Sequence, residues 1–137
     1  MRNILIDAGP LIALFDRSDQ YHLTAIRFIE EFEGRLWTTW PVITEASHML
    51  DFSVKTQMNF LEWIKRGGLQ LFDLRDTDLN RIIQLSKKFD DVPMDLADAS
   101  LIVASEATGY SEVATVDSDF YMYRDIRNNY LTNVFMN

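Results

Sequence analysis

Six acidic residues stand where carboxylates could do chemistry. Asp7 ends the short apolar run Asn3-Ile4-Leu5-Ile6, and Asp117 ends Glu112-Val113-Ala114-Thr115-Val116. Glu45 lies in Val42-Ile43-Thr44-Glu45-Ala46-Ser47, and Asp119 follows Asp117 by two residues. Asp95 and Asp98 occur in Pro93-Met94-Asp95-Leu96-Ala97-Asp98-Ala99, three apart at a helix start, a spacing that can place both on one face. Asp98 is surrounded by Leu96, Ala97, Ala99, Leu101, Ile102 and Val103, where a carboxylate is expensive unless something compensates it. Clustered carboxylates also repel and raise one another's pKa. A helix N-terminus returns only about 0.3–1 kcal/mol per charge. A hard divalent cation is the fuller answer. Mg²⁺ takes oxygen ligands near octahedral geometry and keeps several waters. A carboxylate-only set also fits Mn²⁺ and argues against zinc or copper, because the chain has two histidines and no cysteine. Such a site suggests phosphate chemistry: the ion acidifies and orients a water and screens a phosphodiester, so no side-chain nucleophile is needed.

The elements that must position these acids alternate in type. Asn3 to Ile6 reads as a buried strand, followed by Gly9-Pro10 and a helix to about Asp16. Tyr21 to Glu33 has helical spacing through Leu23, Ile26, Phe28, Ile29 and Phe32, and Gly34 stops it. Leu36 to Trp40 is β-rich. Pro41 opens a helix to about Leu50, and Ser53 caps the next one, which ends at Gly67-Gly68. Leu69 to Leu74 reads as a strand, and Asp76 to Phe89 as a helix with Leu79, Ile82, Ile83 and Leu85 inside. Asp95 to Thr108 is an apolar helix ending at Gly109, and strands follow at Glu112–Val116 and Tyr130–Phe135. This order predicts a mostly parallel sheet with helices on both faces. In such sheets the ligand site lies at the carboxyl ends of the strands, where Asp7 and Asp117 stand.

The 137 residues, 1–137, fit a single domain. The 47% hydrophobic and 25% charged residues exclude a disordered chain. With no cysteine, disulfides, iron–sulfur clusters and thiolate zinc sites are excluded. No apolar run approaches a membrane span, and Met1-Arg2-Asn3-Ile4-Leu5-Ile6-Asp7 reaches an acid too soon for a signal peptide, so a cytoplasmic location without membrane association is expected. The net charge of −8 argues, taken in bulk, against a nucleic-acid binder. Set aside the six acids above, however, and the remaining acids nearly balance the 13 basic residues. A phosphodiester ligand would then be held by metal and a few local cations rather than by a basic surface.

Four segments together resemble PIN-domain proteins, and among them the small stand-alone VapC-like ribonucleases. They are Ile4-Leu5-Ile6-Asp7-Ala8-Gly9-Pro10-Leu11-Ile12-Ala13-Leu14, Pro41-Val42-Ile43-Thr44-Glu45-Ala46, Asp95-Leu96-Ala97-Asp98-Ala99-Ser100-Leu101-Ile102 and Ala114-Thr115-Val116-Asp117-Ser118-Asp119-Phe120. Each segment alone is weak; the four in this order and spacing, from Ile4 to about Arg124, are specific. The resemblance implies a three-layer α/β/α fold with a Mg²⁺- or Mn²⁺-dependent site that cleaves single-stranded RNA. On the family pattern Asp7, Glu45, Asp98 and Asp117 form the acidic quartet, Asp95 and Asp119 are outer members, and Thr115 is the small hydroxyl that accompanies the last acid. Many of these proteins are toxins that dimerise and pair with an antitoxin encoded beside them. The resemblance raises a homodimer and a cognate antitoxin for this chain as well.

Blander readings stand beside these. Asp95 and Asp119 fit plain helix caps. Glu45 and His48 make one Glu-x-x-His spacing, but a di-iron bundle needs two plus further glutamates. His48 stands where an apolar residue is expected, and His22 reads as a rim residue. Arg124 and Arg127 are candidate phosphate contacts. Trp37, Trp40 and Trp63 could stack bases, although large aromatics are usually core. The alternative function is a non-catalytic PIN-fold module that binds nucleic acid or protein. A haloacid-dehalogenase-like phosphatase fits poorly, because position 9 is Gly where a second Asp is needed. A phosphorylated receiver domain also fits poorly, because the acidic pair near its first strand and the lysine after a late one are not in the expected places.

Overall fold

Ile4, Leu5 and Ile6 are all buried and form the middle of the sheet, the usual composition of a parallel strand covered on both faces. A computed structural model of the chain describes residues 1–92, 94–117, 120, 123 and 131–136. Among the described residues the strands are β1 (Asn3–Ile6), β2 (Arg35–Thr38), β3 (Gln70–Leu71), β4 (Glu112–Ala114) and β5 (Thr132–Asn133). All pair in parallel, in the order β3-β2-β1-β4-β5. Ile4 lies opposite Leu36 on one side of β1, and Ile6 lies opposite Ala114 on the other. The chain winds outward from β1 through β2 to β3, then returns to build β4 and β5 on the other side. The reversal falls between β1 and β4, the switch point at which such sheets open a crevice beyond their carboxyl ends.

The helices supply the crossovers that parallel pairing requires. They are α1 (Ala8–Phe15), α2 (His22–Glu31), α3 (Trp40–Met49), α4 (Val54–Lys65), α5 (Leu79–Lys88) and α6 (Leu96–Thr108). α1 packs against α2 and α3, and α6 against α3 and α5. The expected α/β/α arrangement, a parallel sheet flanked by helices, is present. Ser53 caps α4 by accepting from the Thr56 N–H at 3.2 Å. Gly109 ends α6 at φ 81°, a left-handed conformation that favours glycine.

Several boundaries shift for local reasons. α1 starts at Ala8, capped by Asp7, and Pro10 lies in its first turn as expected, although Gly9 is inside the helix rather than a break before it. Trp40 begins α3 instead of ending β2, and β3 is shorter than its apolar run. A 3₁₀ turn, Asp76–Asp78, precedes α5. The inner face of α5 carries Ile82 and Leu85, whereas Leu79 and Ile83 are exposed. In α2 the buried residue is the small Ala25, and Leu23 faces water. Tyr130 lies outside the described residues.

Candidate active site

β1 and β4 deliver their acids side by side because the strands are paired. The Asp7 N–H donates to the Ala114 carbonyl at 2.9 Å, so the residue after β1 is pinned to the last residue of β4. Asp7 also caps α1, one carboxylate oxygen accepting from the Ala8 N–H at 2.8 Å. Its other oxygen accepts from the Thr115 hydroxyl at 3.0 Å, and that hydroxyl in turn accepts from the Asp117 N–H at 2.9 Å. One threonine thus ties the two strand-end acids together. A methyl at Gly9 would collide with the Val116 side chain, so glycine is what lets α1 start this close to the loop after β4.

α6 brings the third acid. Asp95 caps the helix by accepting from the Asp98 N–H at 2.8 Å, and Asp98 Oδ2 accepts the Asp95 N–H at 3.3 Å, a reciprocal capping box. Carboxylate oxygens of Asp7, Asp98 and Asp117 all lie within 4.8 Å of one another. Asp7 is 6% exposed and Asp98 7% exposed. Burial pushes the Asp7 carboxyl up to about 6, against the pull of Ala8 and Thr115, and the charges of Glu45 and Asp117 add to the rise. Asp98 is raised further still, first by burial and then by Asp7 and Asp95. The hydrogen bonds that serve Asp7 and Asp98 come from neutral donors: backbone N–H groups, the Thr115 hydroxyl and the Tyr123 hydroxyl at 3.3 Å. Among the described residues no cationic side chain donates to Asp7 or Asp98, and buried carboxylates converging in that setting match the oxygen-only set of a hard divalent cation.

The remaining acids divide. Glu45 of α3 and Asp95 line the same cleft of about 220 Å³ as the three converging acids, without joining that close group. Glu45 is exposed, and its carboxyl is raised by partial burial, then by Asp95 and Asp117. Asp95 is exposed and engaged as the α6 cap. Asp119, Arg124 and Arg127 lie outside the described residues. His22 is half-buried, its Nδ1 2.7 Å from the Ala13 carbonyl, which joins α2 to α1. His48 is exposed one turn beyond Glu45.

Two supporting residues escaped the sequence reading. Tyr123 is buried and reaches Asp98. Asn133 is buried in β5 and clamps the Thr115 peptide, its Nδ2 donating to the Thr115 carbonyl at 3.0 Å. Asn133 had a signal: it is the polar inward position of Leu131-Thr132-Asn133-Val134-Phe135, where a buried amide needs specific partners. Tyr123 had none, since nothing local links it to a residue 25 positions earlier.

Comparison with known proteins bears on the fold and the family. No curated protein matches the chain. Among solved structures, VapC20 of Mycobacterium tuberculosis, described as a toxin that cleaves the sarcin–ricin loop, superposes with a TM-score of 0.79. The match has 16% identity and covers 87% of this chain and 93% of that one. VapBC2 of Rickettsia felis, solved with a DNA fragment from its promoter, gives a TM-score of 0.64 at 13% identity, over 96% of this chain and 98% of the other. At these identities the likeness is one of fold. The sequence model of the PIN domain matches residues 4–126, a span that takes in the strand ends, the capped α6 and all three converging acids. By that match over most of its length, the chain belongs to the PIN domain family.

Proposed function

We propose that this protein is a divalent-metal-dependent endoribonuclease that hydrolyses single-stranded RNA, working as one domain over residues 1–137. The observation that carries the reading is the meeting of Asp7, Asp98 and Asp117 within 4.8 Å at the switch point of the sheet. Asp7, Asp98 and Asp117 would hold Mg²⁺ or Mn²⁺, with Glu45 completing the acidic wall on the open side. Asp95 and Asp119 are outer members of the set. A bound ion of this kind screens the phosphodiester charge and acidifies a water molecule.

The chain's own residues fix the geometry. Thr115 and the Ala8 N–H hold both oxygens of Asp7, so its carboxylate has one orientation. Thr115, itself clamped by Asn133, sets the position of the Asp117 backbone. Tyr123 and the capping box do the same for Asp98. Hydrolysis uses water: its oxygen bonds to phosphorus, the bond to the ribose oxygen breaks, and that oxygen leaves with a proton. The similarity in fold to VapC20 and VapBC2 supports a toxin of a toxin–antitoxin pair, acting in the cytoplasm as a homodimer restrained by an antitoxin. None of the helices described is long and apolar enough to cross a membrane.

The test is cleavage of a single-stranded RNA by purified protein with Mg²⁺ or Mn²⁺ and with EDTA. Cleavage that needs the metal and is lost in Asp7→Asn, with the fold retained, is expected. Undiminished cleavage by Asp7→Asn overturns the reading. Absence of metal binding by calorimetry, with no loss on Asp98→Ala, would instead favour a non-catalytic module.

A further inference from the structure

An open groove of about 620 Å³ adjoins the acidic cleft, and its apolar part has no role in the chemistry above. Trp40 and Thr44 of α3 line one side, Leu96 of α6 lines the other, and His48 stands beyond Glu45. Glu45 and Asp95 line both the groove and the cleft, so the two are continuous. Trp40 is 59% exposed and Leu96 54% exposed, two large apolar side chains held at the first positions of two helices. The Thr44 hydroxyl donates to the Trp40 carbonyl at 2.9 Å and tightens the turn that presents the indole. The other two tryptophans differ. Trp37 and Trp63 are half-buried against the core, and the Trp37 Nε1 donates to Asn3 Oδ1 at 3.0 Å.

We propose that this groove is a nucleobase subsite, in which the Trp40 indole stacks on the base of the nucleotide adjoining the phosphodiester held at Asp7, Asp98 and Asp117. It rests on the reading of the cleft as a ribonuclease site. Two features select the occupant. The walls are mainly apolar along the groove, with Thr44 and His48 as its polar members, and acidic only where it meets the cleft, which matches a flat base on one side of a phosphate neutralised by its cation on the other. The net charge of −8 also denies the chain a long-range attraction for RNA, so affinity beyond that of the metal and its few local cations must come from contacts that do not depend on charge. Stacking on an aromatic ring is such a contact, and it tolerates any base sequence.

The test compares Trp40→Ala and Trp40→Phe with the wild type on a single-stranded RNA and on the same oligonucleotide made abasic beside the cleaved bond. The wild type should favour the intact RNA by about tenfold in KM, Trp40→Ala should treat both alike, and Trp40→Phe should recover most of the preference. Values of kcat on the abasic strand should be equal in all three. Equal KM for intact RNA in the wild type and Trp40→Ala overturns the subsite. Unchanged RNA kinetics with lost inhibition by a protein inhibitor would assign the groove to a protein partner and overturn it as well. A second readout needs no cleavage: the same RNA should quench indole emission of Asp7→Asn, and Trp40→Phe should remove that quenching. Quenching without cleavage under any divalent metal leaves the subsite standing and removes the nuclease reading. Neither cleavage nor Trp40-dependent quenching removes both.

Discussion

β1 and β4 each run from a balanced charge to an unbalanced one. At their starts, Arg2 and Glu112 form a two-pronged pair at 3.0 and 2.8 Å, and the Glu112 carboxyl is held below its ordinary range by that hydrogen bond. At their ends, Asp7 and Asp117 meet Asp98, and the carboxyls of Asp7 and Asp98 are pushed up. Two strands of three and four residues separate an edge where opposite charges meet from one where like charges are forced together. Among the described residues, Asp7 and Asp98 are held by a threonine, a tyrosine and a capping box rather than by a lysine, and the proposed cation site rests on that arrangement.

The strongest way to break this contrast is to remove an acid. Asp7→Asn and Asp98→Asn should each lower RNA cleavage by at least about a hundredfold while circular dichroism stays unchanged. Residual cleavage near the wild-type rate would place the chemistry elsewhere.

The ion should next show itself in stability. A metal at a hundred times its dissociation constant adds about 2.7 kcal/mol to the folded state, which corresponds to a rise in Tm of several degrees. Thermal scans at pH 8 with and without Mn²⁺ check it, and Asp98→Asn should lose most of the rise.

In EDTA the two edges should respond to pH with opposite signs. Asp7, raised from 3.8 to about 6, and Asp98, raised further, are more easily protonated folded than unfolded. Their contribution is full below about pH 4 and is lost as pH climbs through 6 and beyond, so Tm of the metal-free protein should fall across that range. Asp98→Asn should flatten the slope and raise Tm at pH 8 by about 3 °C or more. Glu112, with its lowered carboxyl, contributes above its unfolded value and loses that contribution as pH falls through its folded one. A metal-free Tm that rose from pH 5 to 8 would contradict the upward shift that burial, and then repulsion, imposes on Asp7 and Asp98.

The smallest effect belongs to the paired edge. Arg2 and Glu112 are partly exposed, so Glu112→Gln should cost about 0.5 kcal/mol, less at high salt, and leave cleavage untouched. Chemical denaturation at two salt concentrations measures it.

Much of the site was legible as placement along the chain. An apolar run ending in an acid is a local signal, and it located Asp7 and Asp117. Helix ends are local too, so Ser53 and Gly109 read correctly. Asp95 and Asp98 show where locality stops. Their spacing suggests one shared face, but Asp95 is the cap, at φ −83° and ψ 177°, outside the helix. The i, i+3 rule therefore does not apply to it, and it faces water while Asp98 turns inward. The tryptophans make the same point: Trp37 and Trp40 are three apart, one packed against Tyr110 and the core, the other leading a new helix at the mouth of a groove.

The alternation of strands and helices, the strand-end carboxylates and the oxygen-only donor set are all written in local stretches of residues, because each follows from neighbours within a few positions. Only the tertiary structure decided that residues 7, 98 and 117 meet, that Thr115 joins two of them, and that Asn133 and Tyr123 hold the arrangement. The bond between Asp7 and Thr115 alone spans 108 positions, and all of these contacts depend on which strands pair. Pairing is settled by burying the whole apolar sheet, a global requirement that no local stretch of residues encodes.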